Sequence, residues 1–304
     1  MHSHHDHGHG HGHVQHFDTH NRSFALAVVL NVVFVAIEAV YGVLSGSLAL
    51  LADAGHNLSD VLGLIMAWVA SWMATKKATD RNTYGLKKST ILAALFNALF
   101  LIAAVGGIAW EAIGRFSEPA EVTGLTVIVV AGIGVVINGL TMLLFMKGQE
   151  GDLNIRGAFL HMAADTAVSV GVVVAGLVIM FTGLNWIDPL VSLVIAAVIF
   201  LGTWRLLKDS LNLAVDAVPR EINPAQVLDS LKELPGVESV HHLHIWGLST
   251  TENALTVHLV KPDPASDDKV IEQATRMLAS DFNIHHVTIQ WEREAGSCPT
   301  LAYC

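Results

Sequence analysis

Six long apolar runs constrain this chain of 304 residues more than any other feature. They cover Phe24–Leu44, Leu48–Thr75, Ser89–Ile113, Val122–Met146, Ile155–Phe181 and Ile187–Leu207. A helix needs about 20 such residues to cross roughly 30 Å of hydrocarbon. Inside lipid the backbone must satisfy its own hydrogen bonds, so runs of this length read as helices. Composition agrees, with 52% hydrophobic and 14% charged residues, where a soluble domain carries about a quarter charged. The sequence therefore predicts an α-helical membrane protein with six transmembrane helices, whose surrounding partner is the lipid bilayer.

The placement of Lys and Arg orients the spans. Lys76, Lys77, Arg81, Lys87 and Lys88 lie between spans two and three, and Lys147 and Arg156 between four and five. Arg205 and Lys208 close span six, whereas the loops on the other side offer only Arg115. By the positive-inside rule both termini are expected in the cytosol. The net charge of −10 argues against nucleic acid as a partner, because phosphate binding needs clustered cations.

Beyond the spans the composition becomes that of a small soluble domain. Pro224–Leu234 has helical periodicity, Val240–Leu248 and Ala254–Val260 are β-rich, Asp267–Ser280 is helical, and His286–Trp291 is a third strand. The order α-β-β-α-β predicts a small α+β cytosolic C-terminal domain with an open sheet and helices on one face. The expected division is a His-rich cytosolic tail at 1–22, a six-helix transmembrane domain at 23–210, the cytosolic α+β metal-binding domain at 211–294, and an irregular tail at 295–304. Nine of the 17 histidines fall in the first 20 residues. That stretch does not read as a signal peptide. It reads as a flexible metal-collecting tract, since imidazole is a ready zinc ligand. Cys298 and Cys304, the only cysteines, exclude a disulfide framework.

Ionisable residues within the spans carry the chemistry. An Asp at the centre of a membrane helix costs about 2.5–3.5 kcal/mol on insertion scales, so such residues mark functional sites by default. Span two contains LADAGHNLSD and span five AFLHMAAD. Each holds His-x-x-x-Asp, His56 with Asp60 and His161 with Asp165. The i,i+4 spacing puts both side chains on one helix face. Polar residues also hold membrane helices together, which accounts for one such pair; two copies in separate spans point to a ligand set. Two imidazoles and two carboxylates are donors that zinc accepts tetrahedrally. Asp53, one turn before His56, and Glu38 and Asn31 in span one fit a neighbouring polar role and helix packing equally well.

LADAGHNLSD, HMAAD, VHHLHIW and TIQWE together resemble the cation diffusion facilitator family, and within it the zinc-transporting branch. The resemblance covers nearly the whole chain. It implies a homodimeric secondary transporter that exports zinc, with cadmium or cobalt as further cargo, from the cytosol in exchange for protons. It also implies a bacterial-type protein of the inner (plasma) membrane, and a transport site at His56, Asp60, His161 and Asp165. By the same resemblance His241, His258, His285 and Glu292 hold a cytosolic metal, Zn2+, and Lys87 pairs with Asp216. Strand alternation raises one objection: His286, rather than His285, shares a face with Glu292. The loop ATDRNTYGLKK has no histidine, so the further loop metal of some relatives is not expected. The chain has no GxxxxGK[ST] phosphate loop, which argues against ATP as the energy source and leaves ion exchange. A membrane metal sensor and a membrane metalloenzyme are the competing readings. Metal flux into sealed vesicles separates the first, and the open coordination position that an enzyme needs separates the second.

Overall fold

The computed structural model of the protein describes residues 22–118, 120–146 and 153–294. Six helices come first: α1 (Arg22–Ser45), α2 (Leu48–Ala74), α3 (Ser89–Arg115), α4 (Gly124–Met146), α5 (Leu153–Thr182) and α6 (Ile187–Ala214). α2 to α6 each contain a described stretch long and apolar enough to cross a bilayer, and α1 contributes the apolar segment Val32–Ser45. α6 runs about two turns past Leu207, to Ala214. The hydropathy falls there, but helix hydrogen bonding does not require apolar side chains.

Large apolar residues remain exposed on every one of these helices, among them Val43, Trp68, Phe96, Trp110, Leu125, Phe181 and Leu201. Such a surface is tolerable only in lipid. The buried core is built instead from smaller contacts: Ala49, Leu50 and Ala52 of α2 meet Leu101 and Val105 of α3, Val127 and Ala131 of α4, Val172 of α5 and Ile195 and Ala196 of α6. α4 lies tightly on α5, and a Cβ at Gly124 would come 2.8 Å from the carbonyl oxygen of Gly176. Small residues permit this close backbone approach, as is usual between membrane helices.

The connections α1–α2, α3–α4 and α5–α6 converge at one end. Arg115 donates to the carbonyl of Gly46, and the Thr123 amide donates to that of Ser45 at 3.0 Å. Asp188, at the start of α6, accepts from Ser47 Oγ at 2.5 Å and from the Leu48 amide at 2.8 Å. A buried carboxylate on the free amides at the start of α2 is favourable both as a cap and against the helix dipole. Gly46 makes the turn, at φ +70° with the Glu121 carbonyl only 2.7 Å from where a Cβ would sit.

At the other end lies the small domain, with α7 (Pro224–Lys232), β1 (Ser239–Gly247), β2 (Asn253–Val260), α8 (Asp267–Phe282) and β3 (Ile284–Glu292). The strands lie in the order β1-β2-β3, antiparallel and then parallel. This is the expected α-β-β-α-β sequence. Ile245, Leu255, Val257, Leu259 and Ile284 share one core with Val227 and Leu231 of α7 and Val270, Ala274 and Leu278 of α8. Both helices therefore cover one face. The alternating residues, His258 and Glu292 among them, point to the other.

The link between the two parts differs from the expected Lys87–Asp216 pair. Lys88 bonds Asp216 at 2.6 Å, while Lys87 reaches Glu252 at 2.5 Å and His286 at 3.2 Å. Sequence adjacency does not fix which of two neighbouring lysines faces the C-terminal end of α6. The turn leading into α3 sends one to Asp216 and the other to the β1–β2 turn. His286 is thus engaged at the domain junction, edge-on to Tyr84 with ring centroids 6.0 Å apart.

Candidate metal centres

α2 and α5 bring the first cluster together. His56 Nε2 lies 3.1 Å from Asp165 Oδ1 and 3.8 Å from Asp60 Oδ2. One ligand atom from each of His56, Asp60 and Asp165 falls within a 4.8 Å group. Asp165 is buried, with 2% of its side chain exposed, while Asp60 keeps 34%. A cluster open on one side and closed on the other suits an ion that must enter and leave. His161 stands one helical turn before Asp165 on α5; its side chain lies outside the described residues. Nitrogen and carboxylate donors in this arrangement fit zinc-like divalent cations.

Beneath this cluster stands a second polar layer. Ser169 Oγ donates to Asp53 Oδ2 at 3.0 Å, and Asn57 Nδ2 donates to Glu38 Oε2 at 3.1 Å. Asp53 and Glu38 are fully buried.

The second cluster occupies the helix-free face of the three-stranded sheet. His241 and His258 are register partners on β1 and β2, and Val260 pairs with Glu292 of β3. Glu292 Oε1 accepts from His258 Nδ1 at 2.8 Å and contacts His241 Nε2 at 3.2 Å. Burial raises the Glu292 carboxyl, but the hydrogen bond from His258 and the charge of His241 outweigh it and hold the group below the ordinary carboxylate range.

A third histidine joins that strand alternation does not suggest. The β1 register slips between His241 and His244. At this bulge His242 adopts φ +50° and stacks on His258, with centroids 4.8 Å apart. His241, His242 and His258 each offer a ligand atom within the same 4.8 Å limit. A bulge redirects a side chain across the sheet, and nothing in VHHLHIW marks its position. His285 is not brought to this group. It sits where β3 shifts register, exposed and bonded to Asn283 at 2.9 Å. The N-terminal histidine tract, Cys298 and Cys304 lie outside the described residues.

The sequence profile of the cation efflux transmembrane domain matches residues 24–213, and that of the cation efflux protein cytoplasmic domain matches residues 219–294. The chain belongs to the cation efflux family. It is an integral membrane metal cation efflux transporter. The chain is 38% identical over 272 residues to the metal cation efflux system protein CzcD of Cupriavidus metallidurans, covering 89% of this chain and 86% of that one. Identity to the cadmium, cobalt and zinc/H(+)-K(+) antiporter of Bacillus subtilis is 37% over 275 residues, covering 89% and 88%. With the zinc transporter ZitB of Escherichia coli it is 36% over 277 residues, covering 90% and 88%.

Proposed function

We propose that this transporter exports Zn2+, with cadmium and cobalt as alternative cargo, across the inner membrane in exchange for protons. The observation that carries the reading is the cluster of His56, Asp60 and Asp165 between α2 and α5, with His161 one turn away. In this reading the four residues form the transport site. The ligands bind metal only with His neutral and Asp ionised, so metal and protons compete for the same atoms. If the site opens to each side in turn, that competition couples the two fluxes. α4 with α5, and α3 with α6, form closely packed pairs, while α2 meets α5 over a short stretch. The cluster thus lies where helices can separate without dismantling a large interface. The relatives' names support both the cargo and the exchange.

The cytosolic cluster of His241, His242, His258 and Glu292 serves in this reading as a second metal-binding site, on a domain that pairs two copies into a homodimer with both termini cytosolic. The chain acts as a carrier rather than an enzyme. The test is zinc flux into proteoliposomes under an imposed pH difference that is then collapsed with an ionophore. Flux that falls on collapse supports exchange, and flux indifferent to it leaves facilitated diffusion.

A further inference from the structure

The polar layer below the metal cluster holds two carboxyl groups that no lysine or arginine hydrogen-bonds among the described residues. Glu38 of α1 and Asp53 of α2 are both 0% exposed, and Asn57, which donates to Glu38, stands one turn beyond Asp53 on the same face of α2. Their outer oxygens accept from Asn57 and Ser169. The inner oxygens, Glu38 Oε1 and Asp53 Oδ1, are buried without a donor among the described residues. Two ionised carboxylates offer only acceptors, and two like charges close together away from water do not both ionise. Two carboxyl groups at one face of α2 and away from water therefore keep a proton.

The surrounding charges are few. α2 brings His56 and Asp60 one to two turns beyond Asp53, and α5 brings Asp165, one turn before Ser169. α4, which packs on α1 and α5, carries no charged residue between Gly124 and Met146. No lysine or arginine of α1, α2 or α5 hydrogen-bonds either carboxyl group among the described residues.

We propose that the Glu38–Asp53 pair is a proton-binding site separate from the metal ligands, and that it carries a counter-proton of export. The pair's two donors come from the helices that hold the metal ligands: Asn57 follows His56 in α2, and Ser169 lies one turn beyond Asp165 in α5. Hydrogen bonds donated to a carboxylate favour its ionised form. A shift of α2 against α5 that gathers ligands around a metal therefore alters the donors to the pair, and the pair's proton leaves to water in the opened pathway. Linkage makes the effect reciprocal, so protonating the pair weakens metal binding. The carboxyl pair keeps its proton where the metal cluster is empty and ionises where it is filled.

This proposal rests on the exchange reading above, and the experiment separates the two. On the full-length protein, zinc is added at fixed pH and infrared difference spectra record protonated carboxyl groups. Proton release per zinc is measured calorimetrically in buffers of different ionisation enthalpy. The wild type should lose a protonated-carboxyl band on zinc addition. Glu38→Gln, which keeps the shape and the contact with Asn57, should lack that change and release about one proton fewer per zinc, with a zinc affinity that depends less steeply on pH. Asp53→Asn should behave alike. A wild-type band that zinc leaves in place overturns the proposal, whatever the variants do. So does equal proton release from Glu38→Gln, or the loss of one bound zinc per protomer in that variant, which would mark a second metal site. Wild-type flux that ignores the pH difference overturns exchange itself; flux that responds equally in wild type and Glu38→Gln overturns only the pair.

Discussion

The intramembrane and cytosolic clusters use the same donors, imidazole and carboxylate, in opposite settings. The first is set on two helices, where each His and Asp are one turn apart and a buried carboxylate is costly unless it is used. The second is set on three strands beside water, where the same residues are inexpensive and a bulge assembles them. Under the proposed function, the difference separates what each site is for. A costly site between sparsely packed helices is suited to moving an ion. A cluster on a rigid sheet, backed by one apolar core, is suited to holding one.

Breaking the first site should have the largest effect. Asp165→Ala removes a buried ligand and should reduce zinc flux in proteoliposomes to background, while insertion and size-exclusion behaviour stay normal. Near-normal flux would remove the intramembrane cluster from the mechanism. His56→Asp exchanges a nitrogen donor for a hard oxygen, and oxygen-rich sites accept metals such as manganese more readily. Flux should continue with a ranking shifted away from zinc, as competition between metals would show.

The cytosolic site should respond more mildly. His242→Ala should weaken metal binding by about tenfold, as for the loss of a supporting ligand, and leave flux through the spans reduced but present. Isothermal titration of His242→Ala and His285→Ala side by side sharpens the point, since only the first residue reaches the cluster within the protomer. Equal losses from the two variants would mean that the bulge does not define the site.

The junction between the regions should give the smallest effects. Lys88 and Asp216 are both about half exposed, and pairs of that kind contribute about 0–1 kcal/mol. Single charge reversals should therefore impair transport slightly, and reversal of both should restore it; a double variant as poor as the worse single would dismiss the pair. Burial raises Glu252, but the hydrogen bond and charge of Lys87, with help from His286, hold it below the ordinary carboxylate range. A depressed carboxyl contributes fully above its unfolded value of about 4.3 and loses that contribution as pH falls through the lower folded value. Hydrogen exchange around residues 84–90 should thus be insensitive to the ionisation of Glu252 between pH 5 and 8 and should loosen only in acid.

The sequence by itself determined the spans and singled out the candidate ligands of the first cluster, because helix periodicity is local. Phe24–Leu44 or Ser89–Ile113 reads as a helix without reference to any other segment, and His56 with Asp60 must share a face wherever α2 lies. The order of elements in the small domain was legible for the same reason, each being a short run with its own period. Only the tertiary structure decided the remainder. His242 joins His258 because β1 slips one residue against β2, and a register is a property of two strands rather than one. Lys88, rather than Lys87, meets Asp216 because a turn at one end of α3 faces the far end of α6. Glu38 reads as an ambiguous polar residue in α1 until α2 is packed against it and Asn57 donates to its carboxylate. A contact between distant segments depends on packing that minimises buried unpaired polarity across the whole fold, and no local pattern carries that information.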